Sequence, residues 1–430
     1  MFRKSLVYSF CMLLPQFIGF ILLPVYSRYL SKTDFSYLSL IEIFVTLFSI
    51  LGILSVDRSV IRFLSVNSDF FSFYLKFFKK IAFCVPWFWC FLFFCVYYLF
   101  TDLEIWGISL KWILLGSVVG VFRASIQVQI RLIQYQDRIN SYIFVSIFRS
   151  LLDLVFIYAM FNVFNDFSGP IVGMFLASFS TFILCTYIVE KFTSDAVTYD
   201  KTLARDLVKY TLPILPTVLL AWLLMFFSRA SLEYYNLSSL ADFSMSYKIS
   251  YIIAIFSVAM QISISKSFYS FLEVGNMESA QKILIKALIL ISFVCFFLSL
   301  SSWLFLDSIL GNSYEGIWVH VLILNLSMYI NGVVGMSMGL VLYYYGRTVL
   351  SLYLYICYTI LSTSLLFFLI FYDFISVNSV AFVLLISSLF LFLIQYLVIR
   401  QYKVINNGFY FVFIIFITAY MGVLCLFINF

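Results

Sequence analysis

Apolar runs of about 20 residues recur along this chain from end to end, and no other feature limits its fold so strongly. A run of that length is what an α-helix needs to cross about 30 Å of hydrocarbon. Thirteen are read, near residues 5–30, 36–56, 77–100, 108–130, 141–161, 168–189, 208–230, 241–264, 284–306, 316–343, 348–371, 378–399 and 408–430. Hydrocarbon satisfies no backbone polar group, and runs this long and uniformly apolar do not suit barrel strands, so each is expected to be a helix. Of 430 residues 64% are hydrophobic and 11% charged, which leaves no room for a large soluble domain. The opening MFRK precedes a run of full helix length without a small-residue cleavage pattern, so it is read as a retained first helix.

Basic residues divide between the two sides of these runs. With the N-terminus in the cytoplasm, nineteen of the 26 Lys and Arg fall in cytoplasmic segments, among them Lys76, Lys79 and Lys80, and four (Arg28, Lys32, Lys111 and Arg229) fall outside. This is the positive-inside bias of a multi-pass protein. The net charge of +6 therefore reflects topology, and no nucleic-acid partner is expected.

All expected outer loops are short, and the longest connections, 57–76 and 190–207, lie inside. The second divides the chain near its middle. SRYLSKTDFSYLSLIEI (27–43) resembles SRASLEYYNLSSLADFSMSYKI (228–249) once seven extra residues are allowed in the second copy, which points to an internal repeat. The expected organisation is an N-terminal six-helix lobe at 1–190, a cytoplasmic linker at 191–207, a second six-helix lobe at 208–403 and one more membrane helix at 404–430. Six crossings return the chain to its starting side, so the two lobes should be parallel copies.

No catalytic constellation is present, and the chain is not read as an enzyme. There is one histidine, His320, and no CxxC, HExxH, Walker loop or GxSxG. The eight cysteines fall in apolar runs without metal-ligand spacing and are expected to be buried structural thiols. No metal or cofactor is expected. Without an ATPase module, energy must come from an ion gradient, the membrane potential or the substrate's own gradient.

Polar residues inside the runs carry the functional information. Lys248 lies within LADFSMSYKISYIIAIFSVAM, where a lysine costs about 2.5–3.5 kcal/mol to insert. In VFRASIQVQIRLIQYQDR, Arg123, Gln127, Arg131, Gln134 and Arg138 recur at helical spacing and form one cationic stripe. The bland reading is that only Arg123 lies deep and the others are positive-inside anchors. Ser39, Glu42, Thr46 and Ser49 make a second stripe, and Ser146, Arg149 and Asp153 a third. Arg149 and Asp153, one turn apart, are equally read as neutralising each other. Glu42 lacks a local basic partner and is expected to face a wet cavity or to titrate. His320, Ser327, Asn331, Gly335 and Gly339 share one side of the 316–343 run, where small residues permit close helix packing. Cations and hydroxyls outnumber acids in this set, which implies an anionic substrate with a hydroxyl-rich part.

The run YTLPILPTVLLAWLLMFFSRASLEYY followed by FSMSYKIS resembles the second half of lipid-linked O-antigen and polysaccharide flippases of the Wzx type, and LLPVYSRYLSKTDFSYLSL is similar to their first half. These belong to the multidrug/oligosaccharidyl-lipid/polysaccharide exporter (MOP) superfamily. Pro24, Arg28, Arg229, Tyr247 and Lys248 match the pattern; Ser228 and Ser36 depart from it, where an aspartate and a glycine are usual. The resemblance implies an all-α polytopic membrane protein of MATE-like form, two parallel six-helix lobes around a central cavity plus one extra C-terminal helix. It further implies that Lys248 and nearby cations face that cavity and hold a diphosphate. The expected substrate-binding residues are Lys248, Arg123, Arg149, Arg28, Arg229, Gln127 and Tyr247, with Glu42 or Asp153 coupling to H+ or Na+.

The implied activity is movement of undecaprenyl-diphosphate-linked oligosaccharide, an O-antigen or similar repeat unit used in lipopolysaccharide or other polysaccharide biosynthesis. The direction is from the cytoplasmic to the periplasmic leaflet of a bacterial inner membrane, by alternating access. Expected partners are that lipid-linked substrate, membrane lipids, and the polysaccharide polymerase and chain-length proteins. Two negative charges moving outward gain about 4–5 kcal/mol per 100 mV, so the membrane potential alone favours export. The alternatives are an O-antigen polymerase, in which a long outer loop would be expected where all the expected outer loops here are short, and a small-molecule exporter of the same superfamily. A small-molecule exporter of the same superfamily would expose acids to cationic drugs, and a structural scaffold would not keep charge inside the membrane.

Overall fold

In the computed structural model, residues 11, 14–15, 17–52, 71–101, 103–136, 138–191, 205, 214–402, 405 and 407–428 are described. Of the nineteen basic residues expected on the cytoplasmic side, Arg3, Lys4, Arg58, Arg62, Lys201, Lys209 and Lys403 lie outside this set, as does most of the 191–207 linker. The helices are α1 (Leu23–Tyr29), α2 (Lys32–Leu51), α3 (Phe71–Leu99), α4 (Leu110–Tyr135), α5 (Ile139–Phe161), α6 (Ser168–Glu190), α7 (Ile214–Tyr235), α8 (Leu237–Glu273), α9 (Met277–Leu310), α10 (Trp318–Tyr344), α11 (Thr348–Phe371), α12 (Val377–Ile399) and α13 (Asn407–Ile428). Eleven helices among the described residues are long and apolar enough to cross a membrane, and Phe17–Tyr29 and Gly408–Leu424 are shorter apolar helices.

Local chemistry sets the helix ends. Ser31 caps α2 by accepting from the Asp34 amide at 3.1 Å, Asn276 caps α9 through the Ser279 amide at 3.0 Å, and Ser376 forms a reciprocal capping box with Ser379 at the start of α12. Each satisfies amides that a helix start leaves without a partner. Two elements differ from the sequence expectation. The loop 101–110 holds a small antiparallel hairpin, Glu104–Ile105 with Ile108–Ser109, turned at Trp106 and Gly107, both with positive φ. Helices α8 and α9 run to 37 and 34 residues, well beyond the apolar cores at 241–264 and 284–306. At 1.5 Å per residue they exceed the hydrocarbon thickness, because helical hydrogen bonding continues past the point where hydropathy falls.

The internal repeat has a clear structural basis. Relative to Arg28 in α1, α7 continues five residues further past Arg229; relative to Asp34 in α2, α8 starts three residues further ahead of Asp242. The link between the paired helices shrinks from two residues to Asn236 alone. The seven extra residues of the second copy are thus absorbed almost wholly as helix.

Two compact units are formed, one from residues 1–18 and 29–222, the other from 19–28 and 223–430. Most of α1 therefore belongs to the second unit, and the start of α7 to the first, where Trp222 Nε1 donates to the Ile43 carbonyl at 2.9 Å. The packing order repeats. In the first unit α4 is packed against α2, α3 and α6, with α5 against α6; in the second α10 is packed against α8, α9 and α12, with α11 against α12. The two central helices are the most enclosed, 72% of the α4 span and 89% of the α10 span being buried. The second unit adds α13, packed on α9 and α10.

Glycines let the central helices approach their neighbours. A Cβ at Gly120 of α4 would collide with the Val45 backbone carbonyl of α2, and one at Gly339 of α10 with the Gln261 side chain of α8. Gly335 has open space around it, so its share in close packing is not realised. Of the cysteines expected to be buried, Cys11, Cys185 and Cys295 are, whereas Cys84 and Cys357 are exposed on helix surfaces. On a membrane helix such a surface is apolar territory, which a thiol tolerates as well as a core.

Candidate functional site

In the first unit the cationic stripe of α4 meets α5. Arg123 and Gln127 are half-buried, and Arg123 Nη2 lies 3.8 Å from Asp153 Oδ1. The acid of α5 is thus shared across helices and does not serve Arg149 alone. Arg149, half-buried one turn before Asp153, lies within electrostatic reach of both Asp153 and Arg123. At 3.8 Å the Arg123 pair is much longer than a charge-assisted hydrogen bond of about 2.7–2.9 Å. Arg123 Nε is buried with no hydrogen-bond acceptor. One acid therefore serves two guanidinium groups, and donor capacity remains. Further along α4, Arg131 donates to Gln134 at 3.0 Å, as an anchor at a helix end does. On α2, Glu42 is half-buried, Ser39 is buried, and Ser49 donates to the Val45 and Gly120 carbonyls.

In the second unit the cations are stacked on aromatic rings. The Arg229 guanidinium sits 5.6 Å from the centroid of Tyr247, and Lys248 Nζ 5.1 Å from that of Tyr26. Arg229 is buried, while Tyr247 and Lys248 are half-buried and adjacent on α8. Tyr247 also stacks on Tyr251 at 5.9 Å, so phenol faces and cations alternate along this surface. Arg28, at the end of α1, is exposed. Sequence reasoning named Lys248, Arg229 and Tyr247 but not Tyr26, which the structure sets beside Lys248. The available signal was the aromatic-Ser-Arg triplet present in both copies, Tyr26-Ser27-Arg28 and Phe227-Ser228-Arg229. Ser228 is fully buried and donates to the Leu224 carbonyl, a local bond that an aspartate could not make.

The polar side of α10 does something different. Ser327 lies 3.0 Å from Ser388 Oγ of α12, and Asn331 Nδ2 donates to Ser388 Oγ at 2.7 Å and to Tyr358 Oη of α11 at 3.4 Å. His320 Nδ1 lies 2.7 Å from Asn378 Oδ1. These groups satisfy one another and hold three helices together. Beyond the span, in the turn Asn312–Tyr314, burial and then the nearby Asp242 charge push the Tyr314 phenol upward, so it stays neutral. Among the described residues no three His, Cys, Asp or Glu side chains are placed to hold a metal ion.

A family model described as Polysaccharide biosynthesis protein matches residues 1–260, a span that includes both Arg123 and Lys248. No curated protein matches the chain. Among solved structures, the chain is similar to the outward-facing conformation of a multidrug resistance MATE family transporter of the MOP superfamily (TM-score 0.69, 13% identity, covering 94% of this chain and 96% of that one). It is also similar to the inward-facing conformation of such a transporter (TM-score 0.62, 13% identity, 94% and 96% covered) and to a MATE protein in complex with MaD3S (TM-score 0.61, 12% identity, 94% and 97% covered). The fold is that of MATE transporters.

Proposed function

The chain belongs to the polysaccharide biosynthesis protein family and has the fold of MOP-superfamily transporters, and from that premise we propose that it flips an undecaprenyl-diphosphate-linked oligosaccharide across a bacterial inner membrane by alternating access. The observation that carries this reading is the pair of cations, Arg229 and Lys248, resting on Tyr247 and Tyr26. A cation on an aromatic face gains about 0.5–2 kcal/mol. A hydrogen bond to a charged group contributes about 1.5–3 kcal/mol. A diphosphate therefore outcompetes the rings, and the half-buried Tyr247 is the phenol placed to meet a sugar face.

In the first unit Arg123 has a long contact to Asp153 and a buried Nε in want of an acceptor. Substrate oxygens drawing Arg123 away leave Asp153 as the acid that takes up H+ or Na+, with Arg149 and Gln127 contributing further donors. Glu42 is the alternative coupling acid. The membrane potential adds about 2.3 kcal/mol per charge per 100 mV in the export direction.

Flipping of a lipid-linked oligosaccharide in proteoliposomes, beside complementation in cells with protein levels measured, tests this. Lys248→Ala should abolish transport without loss of membrane insertion, and Lys248→Arg should retain part of it, since charge survives while geometry changes. Arg123→Ala should lose transport in the same direction. Normal flipping by Lys248→Ala would remove Lys248 from the site.

A further inference from the structure

The first unit holds a second basic place, distinct from the α4 stripe. Lys76, Lys79 and Lys80 of α3 gather with Gln129 of α4 and Thr186 and Glu190 of α6 around an open cleft. Gln129 lies roughly 160° around the helix from Gln127 and Arg131, so it faces away from the cationic stripe. Among the described residues that line it, three lysines stand against one glutamate, a net positive set. Gln129 is 2% exposed; its Nε2 donates to Thr186 Oγ1 at 2.9 Å, while its Oε1 has no hydrogen-bond partner. A buried acceptor left so is costly, and a ligand hydroxyl would relieve it.

Beside the lysines the cleft opens onto apolar surface. Phe83 lines it, and Phe83, Trp87 and Ile183 are 45%, 47% and 53% exposed, with the first two rings set against Phe182. On a membrane-spanning unit such a surface meets acyl chains. A soluble anion would use the lysines but not this trough, whereas a phospholipid uses both. We propose that this cleft binds an anionic glycerophospholipid with a hydroxylated headgroup, the phosphate on Lys76, Lys79 and Lys80 and a headgroup hydroxyl on Gln129. The site shares no residue with the Lys248 and Arg123 sets, so it stands or falls independently of the transported substrate.

Thermal unfolding of the full chain in phosphatidylcholine mixed micelles tests this, with phosphatidylglycerol, phosphatidic acid or soluble glycerol phosphate added. Phosphatidylglycerol should raise the midpoint more than phosphatidic acid does, glycerol phosphate should leave it unchanged, and added salt should shrink the rise. The combined variant Lys76→Gln, Lys79→Gln, Lys80→Gln should lose most of the rise with both lipids, while Lys282→Gln with Lys286→Gln on α9 keeps it. Gln129→Leu should respond equally to the two lipids. The inference is overturned by an equal response to phosphatidylcholine, by a full response in the triple variant, by a lasting preference in Gln129→Leu, or by glycerol phosphate reproducing the shift. Should the triple variant unfold in phosphatidylcholine alone, native mass spectrometry of the single-lysine variants decides instead: loss of retained phosphatidylglycerol supports the site, and undiminished retention overturns it.

Discussion

Helices α4 and α10 hold the same station in their units, each with three principal neighbours, yet they use opposite chemistry. On α10, Ser327 and Asn331 reach neutral partners on α11 and α12 at distances down to 2.7 Å. On α4, Arg123 reaches its acid only at 3.8 Å and keeps a buried nitrogen without an acceptor. Neutral hydrogen bonds are sufficient to hold the central helix of a membrane unit. Charge at the equivalent place is therefore surplus to packing, and surplus buried charge is costly unless a ligand uses it. The second unit keeps its charge on α7 and α8 and parks it on aromatic rings.

The largest difference should appear at the glycines. Gly120→Ala drives a methyl into the Val45 carbonyl, which only a backbone shift of α2 can relieve, and should cost about 1–3 kcal/mol. Gly339→Ala meets only the end of the flexible Gln261 side chain and should cost less than about 1 kcal/mol. Thermal unfolding of both variants checks the order; equal midpoints would mean that α2 yields as easily as a side chain does.

Next come the polar faces themselves. Asn331→Leu leaves Ser388 and Tyr358 without their donor and should lower stability by about 1–3 kcal/mol. Gln127→Leu, on the corresponding face of α4, should leave the unfolding midpoint unchanged and reduce transport. If Gln127→Leu instead unfolds readily and flips normally, the contrast between a packing helix and a binding helix is broken.

The smallest effect concerns α13. Tyr420 Oη lies 2.6 Å from Ser299 Oγ and 3.0 Å from the Leu322 carbonyl, pinning α13 to α9 and α10. Tyr420→Phe should cost about 1 kcal/mol in unfolding free energy with flipping retained. A loss of flipping at unchanged stability would give α13 a part in transport.

Much of the fold was legible in advance because each membrane helix announces itself by length and apolarity, independent of its neighbours. Parts of the candidate site were legible for the same reason: Lys248 and Arg123 stand out against apolar sequence. Their surroundings were not. Tyr26 is 222 positions from Lys248 in sequence, and nothing in 240–260 names it. Asp153 follows Arg149 by one turn, yet it also pairs with Arg123 on another helix. Gln129 reads as one more polar residue in a polar stretch, and only its burial beside three lysines of α3 gives it meaning.

By itself the sequence determined the solvent, the helical class, the approximate spans and the repeated halves, because backbone hydrogen bonding in hydrocarbon must be satisfied within each segment. Tertiary structure alone decided which units the helices join, with most of α1 assigned to the second unit and the start of α7 to the first. It also decided which glycine meets a carbonyl and which cation meets a ring. Those outcomes depend on rotation and depth of packed helices, set by many weak contacts between residues far apart in the chain, and no local pattern encodes them.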